Sequence, residues 1–144
     1  MFKALKETGI VRILLTGVVV WIARLAILLP FLNENGNVPS ISPDGRIPAN
    51  VEYFFSTFIA AMTLATLLGV LYLFSRPTSS SPVQQGAAIA LGLTLGVALM
   101  DILFTVVLRG NGLSTWFLNM ALDYSPLIFI PIFVGFILQR KTKG

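Results

Sequence analysis

The chain has 144 residues, of which 56% are hydrophobic and 11% are charged, with a formal net charge of +4. Soluble domains carry about a quarter charged residues, so this composition excludes an ordinary soluble domain and predicts an all-α integral membrane protein with one domain. The basic residues lie mainly near the chain ends, which favours contact with the anionic lipids of a bilayer and argues against nucleic-acid binding.

Two residue types are missing from the chain. It contains no cysteine and no histidine. Disulfides, thiolate catalysis, iron–sulfur clusters, histidine-ligated haem or zinc and Ser-His-Asp catalysis are therefore excluded. No cofactor and no metal site are predicted, and an enzyme that acts on lipid is the weakest hypothesis, since no nucleophile–base spacing supports it.

Four apolar runs predict a bundle of four transmembrane helices. The predicted helices cover about residues 10–32, 51–74, 86–108 and 116–138. Each is ~35 Å long at 1.5 Å per residue, enough to cross a hydrocarbon core of ~30 Å with modest tilt. The fourth helix contains Pro126 and Pro131. Because a helix that began at Pro126 would be too short to span, we expect it to start near Trp116 and to be kinked.

The first apolar run follows Lys3 and Lys6 and therefore resembles a signal peptide. Arg12 and Arg24 interrupt the run, which is also too long for a simple signal-peptide core, so we interpret it as an uncleaved first helix.

The distribution of basic residues predicts the orientation. Seven of the ten lie on one side of the predicted bundle and two on the other, while Arg24 lies within a helix. The seven are Lys3, Lys6, Arg12, Arg76, Arg140, Lys141 and Lys143. Positive charge accumulates on the cytoplasmic side, so both termini are expected in the cytoplasm and the protein in the plasma (inner) membrane.

Small residues form two stripes, which predict close helix packing. The second helix carries Thr57, Ala61, Ala65 and Gly69, and the third carries Ala88, Gly92 and Gly96. Such stripes let backbones approach closely in a bilayer. We expect the two stripes to pack against each other; the alternative is that one of them docks a partner, either a larger membrane complex or a second copy of the chain.

Asp101 is the most costly residue of the third helix, because it lies near the bilayer centre. Arg24 of the first helix falls ~4.5 Å beyond its helix midpoint, and Asp101 ~6 Å beyond its own, in the same direction. The two charges are therefore expected to pair, with Trp21 covering the guanidinium. Thr94 and Thr105 share the helix face of Asp101. Nearer the surface, the site is predicted to include Glu52, Asn119 and Asp123, with Tyr124 and Arg109 as further candidates.

These residues support two main functional hypotheses. The first is a polar, outward-facing intramembrane site that binds or transports a small anionic or zwitterionic molecule, or a lipid head group, at Arg24 and Asp101. The second is a non-catalytic accessory subunit that packs on a larger membrane complex through its small-residue stripes. A salt bridge that only fixes helix packing is the structural alternative to the first hypothesis.

Overall fold

A computed structural model of the protein describes residues 2–28, 51–76, 78–108 and 124–141. Within these ranges every regular element is a helix, so the predicted all-α class is confirmed. The elements are α1 (Phe2–Thr8), α2 (Ile10–Leu28), α3 (Val51–Phe74), α4 (Pro82–Asp101), which continues as a π-helix (Ile102–Leu108), and α5 (Ser125–Lys141).

Two helical stretches of the described ranges are long and apolar enough to cross a membrane. They are Ile10–Ile27 and Pro82–Phe104, each with a mean hydropathy of 2.2. A shorter apolar stretch, Ile59–Phe74, lies in α3. The two longer stretches are consistent with insertion into a bilayer.

The first predicted helix is preceded by a short helix that the sequence analysis did not anticipate. Gly9 separates α1 from α2 with a φ of +87°, a conformation that residues with a Cβ rarely adopt. Beyond this break α1 packs against α4 and buries Ala4 and Thr8. Lys3 and Lys6 therefore lie on an ordered helix at the end of the bundle.

Glu7 ties α1 to the connection between α3 and α4. Its carboxylate accepts hydrogen bonds from the hydroxyl of Ser79, from Ser80 N at 3.0 Å and from Ser80 Oγ at 2.7 Å. The hydrogen bond from Ser79, then that from Ser80, hold the pKa of Glu7 below its usual value. Glu7 thus binds the connection between α3 and α4 as an ionised carboxylate.

The central helix α4 begins four residues earlier than predicted. Ser81 is its N-cap, and the Ser81 side chain accepts a hydrogen bond from Gln84 N at 3.4 Å. Pro82 follows at the first helical position, where its missing N–H costs nothing. The Ser-Pro pair, which lies before the predicted start of the helix, therefore marks its actual start.

Small residues of α4 contact α2 and not α3. A Cβ added at Gly17 of α2 would lie 3.0 Å from Gly96 Cα, and one added at Gly92 would overlap the side chain of Ile13. Ala88 of the same stripe is fully buried. The backbones of α2 and α4 therefore touch, as the stripe predicted, but the partner helix is a different one.

The stripe on α3 also faces α2. A Cβ at Gly69 would lie 2.8 Å from Val20 and 3.2 Å from Thr16. Ala61 and Ala65 are buried as well, while the Thr57 side chain lies outside the described residues. The predicted direct packing of the two stripes is wrong. Helix α2 packs against α3 with one face and against α4 with another, and α3 and α4 barely touch each other.

Helix α5 packs antiparallel on α4 through two glycine–proline contacts. A Cβ at Gly86 would overlap Pro131 O, and a Cβ at Gly135 would overlap Pro82 O. Neither glycine was singled out from the sequence. Since the contacts pair the start of α4 with the later part of α5, the start of α5 lies beside the middle of α4.

The fourth helix differs from its prediction at its start. It begins at Ser125, after a turn at Tyr124, and not near Trp116. Pro126 is the second helical residue and so produces no kink there, because a first-turn N–H has no partner within the helix anyway. Pro131 lies inside α5, as predicted. Residues 109–123 lie outside the described residues.

Enlarging a glycine between α2 and α4 should destabilise the fold. We expect Gly96→Leu to lower the free energy of unfolding by roughly 1–3 kcal/mol or more, because the added side chain meets the α2 backbone at Leu14 O and Gly17 Cα. Thermal unfolding in mild detergent measures this. Ala26→Leu, at an exposed position of α2, is the matched control and should change stability little; equal losses would contradict the contact.

Candidate functional site

The candidate site is a cluster of four buried side chains from three parts of the chain. Asp101 ends the α-helical part of α4. Trp21 and Arg24 lie three residues apart on α2 and so share a face. Tyr124 belongs to the turn before α5. All four are buried, so the cluster joins α2, α4 and the start of α5 inside the bundle.

The predicted pairing of Arg24 with Asp101 is present in the structure. Arg24 Nη2 donates to Asp101 Oδ1 at 2.9 Å, and the two side chains are only 7% and 11% exposed. Trp21 Nε1 donates to the same oxygen at 2.5 Å. Tyr124 Oη donates to Asp101 Oδ2 at 2.5 Å. Both carboxylate oxygens therefore have partners.

These hydrogen bonds explain how an ionised aspartate persists in an apolar bundle. A carboxylate has about four acceptor positions, and three of those on Asp101 are occupied by described donors. Hydrogen bonds to a charged group are shorter and stronger than neutral ones. The positive charge of Arg24 balances the negative one, so the charges of these four described side chains sum to zero and the desolvation cost of each charge is offset.

A π-helical segment forms one wall of the cluster. The wider π turns begin at Ile102, directly after Asp101. Phe104 lies in this segment, and its ring centroid is 4.7 Å from that of Trp21, with the planes at 43°. This tilted packing supports the indole whose N–H reaches Asp101. π-Helical turns are rare and occur frequently at functional sites.

The other predicted site residues lie elsewhere or outside the described residues. Thr94 is two turns before Asp101, ~10 Å along the helix, and its hydroxyl has no hydrogen-bond partner among the described residues. It therefore does not join the cluster. For Thr105 and Glu52 the structure describes the helical backbone but not the side chains, and Asn119 and Asp123 lie outside the described residues.

Sequence reasoning placed two features of the site incorrectly or not at all. Tyr124 is predicted as a further candidate near the surface of the site, yet its hydroxyl binds Asp101 in the interior. Ser125 followed by Pro126 is a helix-start signal, which would have placed Tyr124 at a helix entrance. The π-helix has no sequence signal that we recognise.

The chemistry of the cluster suits recognition of charge. The guanidinium of Arg24 matches carboxylate and phosphate groups, and the Asp101 carboxylate matches ammonium groups. Among the described residues Asp101 is the one acidic side chain of the cluster, and no group of three or more His, Cys, Asp or Glu side chains there is able to hold a metal ion. The Arg24–Asp101 pair is therefore complementary to a molecule that itself carries one positive and one negative charge.

A double-mutant cycle tests the coupling between Arg24 and Asp101. We expect Asp101→Asn and Arg24→Gln each to destabilise the protein by about 3–5 kcal/mol, since each strands a buried charge. The double variant should recover part of this loss, because two amides remain able to hydrogen-bond. Denaturation in detergent measures all four proteins. A coupling energy near zero would show that the charges do not interact.

Comparisons with known proteins do not assign a function to this site. The chain matches no protein-family model, no curated protein and no solved structure. The function is therefore inferred from the buried cluster and from the helices that form it.

Proposed function

We propose that this chain is a four-span protein of the plasma (inner) membrane whose Arg24–Asp101 site binds or transports a small zwitterionic or anionic molecule, or a lipid head group, from the outer side. The observation that carries the proposal is the ion pair itself, at 2.9 Å and buried between two apolar helices. Ionisable residues inside membrane helices are costly and commonly mark ligand or ion pathways.

The surfaces of the helices support insertion into a bilayer. Only 33% of the apolar stretch in α2 and 44% of that in α4 are buried inside the protein. A core helix of a soluble protein would be mostly buried. Large apolar side chains instead point outward, such as Val11 at 69% and Leu99 at 62% exposure. Lipid chains would cover these side chains, as packing in membranes requires.

The neutral cluster explains why a zwitterion is the preferred ligand. A purely anionic ligand that displaces Asp101 from Arg24 leaves an uncompensated carboxylate in the interior, which is costly. A zwitterion brings both charges: its anionic group pairs with Arg24 and its ammonium with Asp101. The exchange keeps the site neutral, because one ion pair becomes two.

The alternative function, an accessory subunit, loses the surfaces that suggested it. The described members of both small-residue stripes are buried, and Gly69, Gly92 and Gly96 face α2. They are therefore used within the chain. A subunit role would need another surface, and stoichiometric co-purification of a partner in mild detergent would support it.

Ligand-dependent stabilisation tests the proposed function. The probes are phosphoethanolamine as zwitterion, inorganic phosphate as anion and choline as cation, added to the detergent-purified protein. We expect phosphoethanolamine to raise the unfolding temperature most, since a ligand at 100 times its Kd stabilises by about 2.7 kcal/mol. Choline should have no effect, because a lone cation that displaces Arg24 from Asp101 leaves an uncompensated guanidinium in the interior.

Two variants distinguish binding at this site from binding elsewhere. Arg24→Lys keeps the charge but loses the planar fork, so the shift with phosphoethanolamine should fall. Arg140→Gln, which removes a charge from the exposed end of α5, is the control and should keep the shift. No shift with any probe, or the same shift in both variants, would contradict the proposal.

The membrane topology is a separate prediction. Seven basic residues on one side against two on the other place both termini in the cytoplasm. Reporter fusions after residue 40 and after residue 144 should therefore report opposite sides. Reports from the same side would contradict the four-span arrangement and the outward orientation of the site.

A further inference from the structure

A second feature lies on the bundle surface, away from the Arg24–Asp101 cluster. A groove of about 1000 Å³ runs between α2 and α3, a volume at the upper end of ligand pockets. Its walls include the exposed side chains of Leu15, Val19 and Leu68, and its floor includes the small residues Ala65 and Gly69. The groove is therefore apolar over most of its length.

One end of the groove is cationic. Lys6 and Arg12 line it there, next to Tyr72. Arg12 Nη2 donates to Tyr72 O at 3.2 Å, and the guanidinium carbon lies 4.5 Å from the centre of the Tyr72 ring. These contacts fix the guanidinium at the groove entrance. The buried Arg12 Nε has no hydrogen-bond partner among the described residues.

The two positive charges at this end are not neutralised by a described acid. Glu7 is the nearest acidic residue in the chain, but its carboxylate is held by Ser79 and Ser80 and lies 3.9 Å from Lys3. Asp101 is paired with Arg24. The described residues therefore give the groove entrance a net positive charge that is complementary to an anion.

The groove has the length of one membrane leaflet. Its lining on α2 extends from Ile10 to Ala23, and the part from the cationic residue Arg12 to Ala23 is ~16 Å long at helical rise. Half of a ~30 Å hydrocarbon core is ~15 Å. A molecule that fits must be charged at one end and apolar for the depth of a leaflet.

We propose that this groove binds one anionic phospholipid from the leaflet on the side of the chain's N-terminus. The phosphate contacts Lys6 and Arg12, and one acyl chain lies along the groove between α2 and α3. Arginine forms strong paired hydrogen bonds with phosphate oxygens, and a basic residue near a membrane surface favours anionic lipid. The inference goes beyond the Arg24–Asp101 function and depends only on insertion into a membrane.

Lipid retention measured by native mass spectrometry tests the site. The protein is delipidated in detergent and then titrated with phosphatidylglycerol or with phosphatidylcholine of the same chain length. We expect one phosphatidylglycerol to bind at least several-fold more tightly than phosphatidylcholine. Arg12→Gln should reduce this preference about fivefold, the effect of one basic residue at a membrane surface.

A matched control is available on α5. Arg140 also lies over an aromatic ring, at 4.5 Å from the centre of Phe136, but it does not line the groove. Arg140→Gln should keep the preference for phosphatidylglycerol. If Arg12→Gln does not fold, Lys6→Gln replaces it, since Lys6 is exposed on α1.

Leu68→Trp tests the apolar part of the site. It fills the groove and should reduce binding of both lipids, whereas inorganic phosphate should not displace the lipid. Equal affinity for the two lipids, equal loss in Arg12→Gln and Arg140→Gln, or displacement by phosphate would overturn the proposal. None of these outcomes involves Arg24 or Asp101, so failure here is distinguishable from failure of the proposed function.

Discussion

The structure depends on one buried negative charge. A buried carboxylate needs hydrogen-bond donors, and the three donors that the described residues give Asp101 all lie outside its own helix. Its partners come from α2 and from the turn before α5: Arg24 and Trp21 on one side and Tyr124 on the other. A single carboxylate thereby fixes how three segments that are distant in sequence meet.

The glycine contacts set the register that this charge requires. Gly17 touches Gly96, and from that point Arg24 is seven residues further along α2 while Asp101 is five further along α4. Since both helices run away from the contact in the same direction, the two charges arrive at similar depth. Close approach of the backbones also keeps the arginine within hydrogen-bond distance. The same packing of small residues between α2 and α4 therefore also brings the two charges together.

Helix α2 carries two arginines that differ in their surroundings and in their partners. Arg12 and Arg24 are twelve residues apart, ~18 Å along the helix and about 120° around it. Arg24 faces α4 and is balanced by Asp101. Arg12 faces α3, rests on Tyr72 and has no acidic partner among the described residues. One charge is thus buried inside the protein, whereas the other lines the groove for which we propose an anionic lipid.

The sequence by itself determined the helical class, the limits of α3, the apolar surfaces and the pairing of Arg24 with Asp101, because periodicity, hydropathy and depth along a helix are local properties. It did not determine which helix the small residues pack against. Stripes of small residues are equally suited to any neighbour, and only the tertiary structure assigned both stripes to α2. The π-helix after Asp101 was also decided there, as was the interior position of Tyr124, since the buried carboxylate takes a donor from the turn before α5.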